Sequence, residues 1–163
     1  MGIEIQGVES LIERLEGLVD EDKMRIALGK ACALVERSAK QKAPKGDGGL
    51  RGSITSKVEG DVGIVYTPLE YAPYVEFGTG LFAEDGNGRK EVPWVYIEGS
   101  TKKNDTKTIY TPEEARATVA FLQSKGIDAK MTYGQHPRPF LRPALNENRE
   151  EIKRIIKEGI TDG

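Results

Sequence analysis

The sequence predicts an α+β protein. Three observations carry that reading: an apolar stripe at helical spacing over residues 21–42, two short β-branched runs between 50 and 66 separated by a glycine turn, and an amphipathic stretch from about 143 to 159.

Near the start, Ile3-Glu4-Ile5 alternates as a short strand does, and Val8, Leu11, Ile12, Leu15, Leu18 and Val19 then recur at helical spacing. Asp20 or Asp22 can cap a new helix or mark a kink. Met24, Leu28, Ala31, Val35 and Ala39 follow at steps of four, three, four and four, with Cys32 beside them. A helix over 21–42 would be about 33 Å long at about 1.5 Å per residue, and Ala43-Pro44 ends it because proline disfavours helix at the residue before it.

Residues 45–49 read as a flexible glycine loop. Leu50, Ile54 and Val58 then fall every fourth residue with serine and threonine between them, which predicts a strand over 50–58. Glu59-Gly60-Asp61 is turn-like and Val62-Gly63-Ile64-Val65-Tyr66 is a second strand, so the two form a hairpin. Tyr71, Tyr74 and Phe77 mark a short helix closed by Gly78. Asn87-Gly88 signals a tight turn within a glycine-rich stretch. Residues 92–97 are a strand candidate, with Pro93 at its start or on a sheet edge.

Thr111-Pro112-Glu113-Glu114 opens a helix to about Lys125, with threonine as cap, proline in the first turn and Glu114 completing a capping box. Residues 130–133 read as a further strand. Pro137, Pro139 and Pro143 form a stiff connector, and the last helix is expected to bury Leu145, Ile152, Ile155 and Ile156.

A chain of 163 residues is expected to form one domain. Its 37% hydrophobic content is low for a compact globule and fits extended arms or completion by oligomerisation. The net charge is −2, but it alternates in blocks: −4 over residues 1–36, +5 over 37–57, −6 over 58–100, +4 over 101–145 and −1 thereafter. Alternation of this kind suits stacking between copies of one chain, or ordinary solvated faces. Cys32 is the only cysteine, which excludes an intrachain disulfide and fits a small core residue in a reducing compartment. Residues 1–20 lack the apolar run of a signal peptide, and no stretch is long and apolar enough to span a bilayer, so a soluble protein made in the cytoplasm is expected.

His136 is the only histidine and has no local partner for a nucleophilic triad. One histidine and one cysteine are too few for a zinc site. The loop from Gly46 to Ser53 lacks the Gly-Lys-Ser/Thr ending of a phosphate loop and lies between helix and strand in the wrong order. Asp85-Gly86-Asn87-Gly88 begins like a calcium loop but continues with Arg89 and has no glutamate at the twelfth place. Glu70 and Glu76 alone suggest a carboxylate pair, and solvated or interface glutamates explain them better. No catalytic residue, metal or cofactor is expected. The basic run from Arg37 to Lys57 could touch a phosphate backbone without reading sequence, since no aromatic interleaves it.

Three stretches, in order, carry a resemblance. They are Ala43-Pro44 followed by Gly49-Leu50-Arg51-Gly52-Ser53-Ile54, then Tyr71-Ala72-Pro73-Tyr74-Val75-Glu76-Phe77-Gly78-Thr79-Gly80, then Arg138-Pro139-Phe140-Leu141-Arg142-Pro143-Ala144-Leu145. Together they resemble the tail-completion, or head–tail joining, family of long-tailed bacteriophages and prophages. Gly86-Asn87-Gly88-Arg89-Lys90 and Pro93-Trp94-Val95-Tyr96 resemble a subgroup of it.

The resemblance implies a long N-terminal helix and a C-terminal helix packed on a small, mostly antiparallel sheet. Residues 101–130 depart from the family pattern and look like an insertion, bearing its own helix, at a hairpin tip. The family resemblance further implies a ring, commonly of six copies, at the junction of capsid neck and tail tube in the virion. Its partners would be neck or head-completion proteins on one side and tail-tube or tail-terminator proteins on the other, with assembly in the host cytoplasm and no membrane. Another neck or minor tail position, or a nonspecific DNA-contacting module, are the alternatives.

Within this frame, Lys45, Arg51, Arg138 and Arg142 are candidate interface or lumen charges. Tyr71, Tyr74 and Phe77 share one helix face, for which core packing is favoured over intersubunit contact. Glu76 is less easily buried and is matched by charge to Arg138 or Arg142. Phe140 and Leu141 are expected to anchor the C-terminal helix, and Phe140 is also an interface candidate.

Overall fold

The computed structural model describes residues 20–46, 49–86, 88–99 and 110–161. The strand expected at 3–5, the stripe over 8–19, the centre of the glycine loop and Asn87 lie outside the described residues. The described chain is α+β, with six helices and two separate two-stranded antiparallel sheets. Its contacts divide it into two compact units, one up to Pro68 and again from Phe140 onward, the other Leu69–Pro139.

In the first unit, helix α1 (Glu21–Lys42) starts where the sequence signals it. The Asp20 carboxylate accepts from the Asp22 and Lys23 amides at 3.0 and 3.4 Å, satisfying donors that an open helix end leaves unpaired. Its buried face is Ala27, Ala31, Cys32, Val35 and Ala39, while Met24 and Leu28 are half-buried. The stripe is made of small side chains, so neighbours approach α1 closely. A Cβ added to Gly63 would lie 2.5 Å from Cys32 Sγ, and one added to Gly159 would lie 2.6 Å from Ala27 Cβ.

The expected strand over 50–58 is corrected in its first half. Gly49–Ser53 is a helical turn, α2, and strand β1 covers only Thr55–Glu59. A spacing of four serves a helix as well as a strand, and Leu50 and Ile54 are both buried by it. Ser53 fixes the change of direction: its hydroxyl lies 2.8 Å from the Leu50 carbonyl and 2.7 Å from the Thr67 hydroxyl. Strand β1 pairs with β2 (Val62–Tyr66) in the expected hairpin, from Thr55 opposite Tyr66 to Glu59 opposite Val62. Gly60 turns between them at φ 58°.

The single C-terminal helix is also corrected. Two helices, α5 (Leu141–Glu147) and α6 (Arg149–Thr161), meet at Asn148, whose side-chain amide donates to the Ala144 carbonyl at 2.7 Å. Pro143 belongs to the first turn of α5 rather than to the connector, at a position where its missing N–H costs nothing. Ala144, not Leu145, is buried there, and Leu145 is 49% exposed. Ile152, Ile155 and Ile156 are half-buried. Phe140 at the head of α5 is fully buried, as an anchor should be. Helix α1 packs against both strands of the hairpin and against α5 and α6, and Lys42 pairs with Glu147 at 2.5 Å.

The second unit begins with the short helix α3 (Ala72–Phe77), closed by Gly78 at φ 76°. Two 3-10 turns follow, Gly80–Phe82 and Glu84–Gly86. Strand β3 (Trp94–Ile97) pairs antiparallel with β4 (Ala129–Thr132), and helix α4 (Pro112–Ser124) lies between them in the chain. The helix expected from Pro112 is therefore present, on the connection between paired strands. Its capping box is formed: the Thr111 hydroxyl accepts from the Glu114 amide at 3.3 Å, and the Glu114 carboxylate accepts from the Thr111 amide at 2.8 Å. Val95, Ala115 and Ala129 form this unit's buried cluster, flanked by Tyr110, Val119, Leu122 and Met131.

Candidate interaction surface

The second unit holds a cleft of about 700 Å³ between α3, the two 3-10 turns and the start of β3. Its form follows from a close crossing of two chain segments. The Thr79 amide donates to the Gln135 carbonyl at 2.9 Å, the Gln135 amide donates to the Thr79 hydroxyl at 2.9 Å, and the Leu81 amide donates to the Tyr133 carbonyl at 3.0 Å. Gly80 (φ 59°) and Gly134 (φ 125°) sit at the crossing, where a side chain on either would collide with the opposite backbone. Phe82 and His136 close it with ring centroids 3.9 Å apart. The glycines of the 71–80 motif thus act through the segment just before the Arg138-Pro139 motif.

Above this crossing α3 presents its aromatics outward. Tyr71, Tyr74 and Phe77 are 43%, 60% and 46% exposed. The favoured core packing of this face is therefore wrong. Ala72 and Glu76, four residues apart, take the inward face instead, and in a helix of two turns that fixes the outward position of 71, 74 and 77. Glu76, expected to resist burial, is 3% exposed. Tyr74 and Phe77 form one wall of the cleft, Glu84 and Asp85 stand on its rim, and Arg89 lies 5.4 Å over the Trp94 ring. The sequence showed the aromatics but not Trp94, Arg89 or Asp85 as their neighbours, because those meet them only through the crossing.

In the first unit the basic run resolves into two sets. Lys40 pairs with Glu36 at 2.6 Å, Lys42 with Glu147, and Lys57 with Glu59 at 2.6 Å. Arg37, Lys45 and Arg51 have no ion pair among the described residues. Arg37 and Arg51 line a shallow depression of about 330 Å³ along the outer side of α1, and exposed Lys45 follows its C-terminal end. Arg51 donates to the Ala43 carbonyl at 3.4 Å, while its Nε is buried without a hydrogen-bond partner among the described residues. The Glu36 carboxylate takes hydrogen bonds from Lys40 first and Ser56 second, which hold its pKa below the usual carboxylate range.

The remaining candidates separate by burial. Arg138 and Arg142 are exposed. Phe140 and Glu76 are buried, which removes them from direct contact with a partner and leaves them to shape the surface. A second, apolar groove of about 420 Å³ runs along α1 beside β2, α5 and α6, with Cys32 at its floor. Burial, and secondarily the Glu36 carboxylate, push the Cys32 thiol pKa up, so it stays protonated and is a poor nucleophile. His136 stacks on Phe82 in the other unit. Among the described residues no three His, Cys, Asp or Glu side chains gather as metal ligands, and no helix is long and apolar enough to cross a membrane.

Among the described residues, the second unit thus turns three aromatic side chains outward, and the first carries three cations without an ion pair. Residues 9–78 match the family model HK97-gp10-like, described as "Bacteriophage HK97-gp10, putative tail-component". The matched span includes α1, the hairpin and α3; it takes in the first motif and most of the second, and stops short of the third. The match covers 70 of the 163 residues, less than half of the chain. No curated protein matches the chain, and no solved structure does.

Proposed function

We propose that this chain joins the phage tail tube to the capsid neck, as a closed ring of copies, and performs no catalysis. The observation that carries the reading is that the family-matched segment ends on α3, whose three aromatics face outward. Exposed aromatics in a cluster are the usual anchors of protein interfaces. Neck or head-completion proteins on one face and tail-tube or tail-terminator proteins on the other are the partners in this reading. The virion neck is its location, and the two units act as one domain, with 101–130 an insertion into it.

Mass measurement of the chain alone, and then mixed with the neck and tube proteins encoded beside it, tests the proposal. A ring in either condition supports it. A chain that stays monomeric and binds none of them overturns it. Nonspecific contact with transiting DNA is the weaker second reading, because half of the basic run is already neutralised by Glu36, Glu147 and Glu59.

A further inference from the structure

We infer that the aromatic cleft of the second unit receives the uncommitted cations of the first unit from a neighbouring copy of this chain. The inference rests on the ring proposed above and names the two surfaces that would make it.

The cleft has the chemistry of a cation acceptor. Tyr74 and Phe77, 60% and 46% exposed, line one wall, and Asp85 is an exposed acidic residue beside it. The Asp85 backbone is left-handed (φ 57°), a conformation that aspartate and asparagine tolerate better than most residues. Arg89 over Trp94 shows that a guanidinium already sits on an aromatic face in this cleft. Apart from the buried Glu76, the surrounding stretch, 69–91, carries Glu70, Glu84, Asp85 and Glu91 against Arg89 and Lys90.

The complementary surface is on the same chain. Of the six cations from Arg37 to Lys57, Arg37, Lys45 and Arg51 have no ion pair among the described residues; Arg37 and Lys45 are exposed on and just beyond α1, and half-buried Arg51 lines a depression with Arg37 while donating to the Ala43 carbonyl. An exposed ammonium or guanidinium gains little from a carboxylate alone, but gains more from a carboxylate and an aromatic face together. Because the two surfaces differ and belong to one chain, each copy can give one and receive the other. Such a head-to-tail contact repeats, and closes into a ring when its rotation permits.

The test uses the full chain with whichever partners the wild type needs to assemble, and reads assembly by sedimentation and native mass. Tyr74→Ala, Asp85→Asn and Lys45→Glu are each expected to raise the concentration for half-assembly at least tenfold with unchanged thermal melts. The double variant Lys45→Glu/Asp85→Lys is expected to regain most of the loss. Should Asp85→Lys loosen its own turn, Asp85→Asn still isolates the carboxylate. Rings that form normally in all three single variants overturn the inference and leave the ring proposal standing. Rings that form while binding to a neck or tube protein is lost assign the cleft to that partner and also overturn it. A wild type that never self-associates removes both.

Discussion

Thr79 and Gln135, fifty-six residues apart, hold each other by a reciprocal pair of hydrogen bonds, amide to carbonyl at 2.9 Å and amide to hydroxyl at 2.9 Å. The contact is possible only because the residues beside them, Gly80 and Gly134, lack side chains. Gly80→Ala should therefore destabilise the second unit by about 2–4 kcal/mol, combining left-handed backbone strain with displacement of the Tyr133 carbonyl. Gly86→Ala, also left-handed but facing open space, should cost only about 1 kcal/mol. Denaturant melts of the two variants check the difference, and equal losses would mean that the crossing carries no special constraint.

Tyr74 and Phe140 should behave as opposites. Tyr74→Ala is expected to change stability by less than about 0.5 kcal/mol, because the ring is already in solvent. Phe140→Ala should cost about 3–5 kcal/mol, because the ring is wholly enclosed. Thermal unfolding of both variants tests whether the exposed aromatics are held for contact rather than for folding.

The Glu36 carboxylate makes one part of the stability depend on pH. Its folded pKa is depressed, so its contribution is fully present above the unfolded value of about 4.3 and is lost as pH falls through the lower folded value. Wild type should lose melting temperature below about pH 4.3 faster than Glu36→Gln does. Melts between about pH 6 and pH 3 read the difference, and parallel curves would show that the bonds to Lys40 and Ser56 contribute nothing.

Cys32 should resist modification. With its pKa raised by burial first and Glu36 second, little thiolate is present at neutral pH, and the residue is only 7% exposed along its groove. Labelling by a maleimide or an aromatic disulfide is expected to be slow in the folded chain, by at least tenfold against the denatured chain. Equal rates would place the thiol at an open surface.

Thr111→Ala removes a cap and should lower the stability of α4 by about 1 kcal/mol. The loss should appear in hydrogen exchange of the amides from Pro112 to Ser124, and leave those of α1 unchanged.

Local signals made most of the elements legible. The proline stop at Ala43-Pro44, the hairpin turn at Gly60 and the Thr111 capping box each use residues within four positions of one another and are where the sequence placed them, and of the two caps it offered, Asp20 and Asp22, the structure uses Asp20. Failures came where a local pattern had two solutions. Leu50, Ile54 and Val58 suit a strand or a helical turn, and a distant partner, Thr67, decides between them. Pro143 reads as connector or first turn, and the helix begun at Leu141 decides. The candidate surface was legible only in part. Periodicity of three put Tyr71, Tyr74 and Phe77 on one face, but which face meets solvent depended on the crossing at Thr79 and Gln135, which no local spacing encodes. The buried carboxylate of Glu76 went against ordinary preference for the same reason.

Among the described residues both sheets contain two strands, and a lone two-stranded ribbon is barely stable in water. Each is therefore tied to the fate of a helix laid against it, β1 and β2 to α1, β3 and β4 to α4. Local opening should follow those partnerships: loosening α4 would release the β3–β4 amides with it, so that helix and ribbon come into solvent at the same moment.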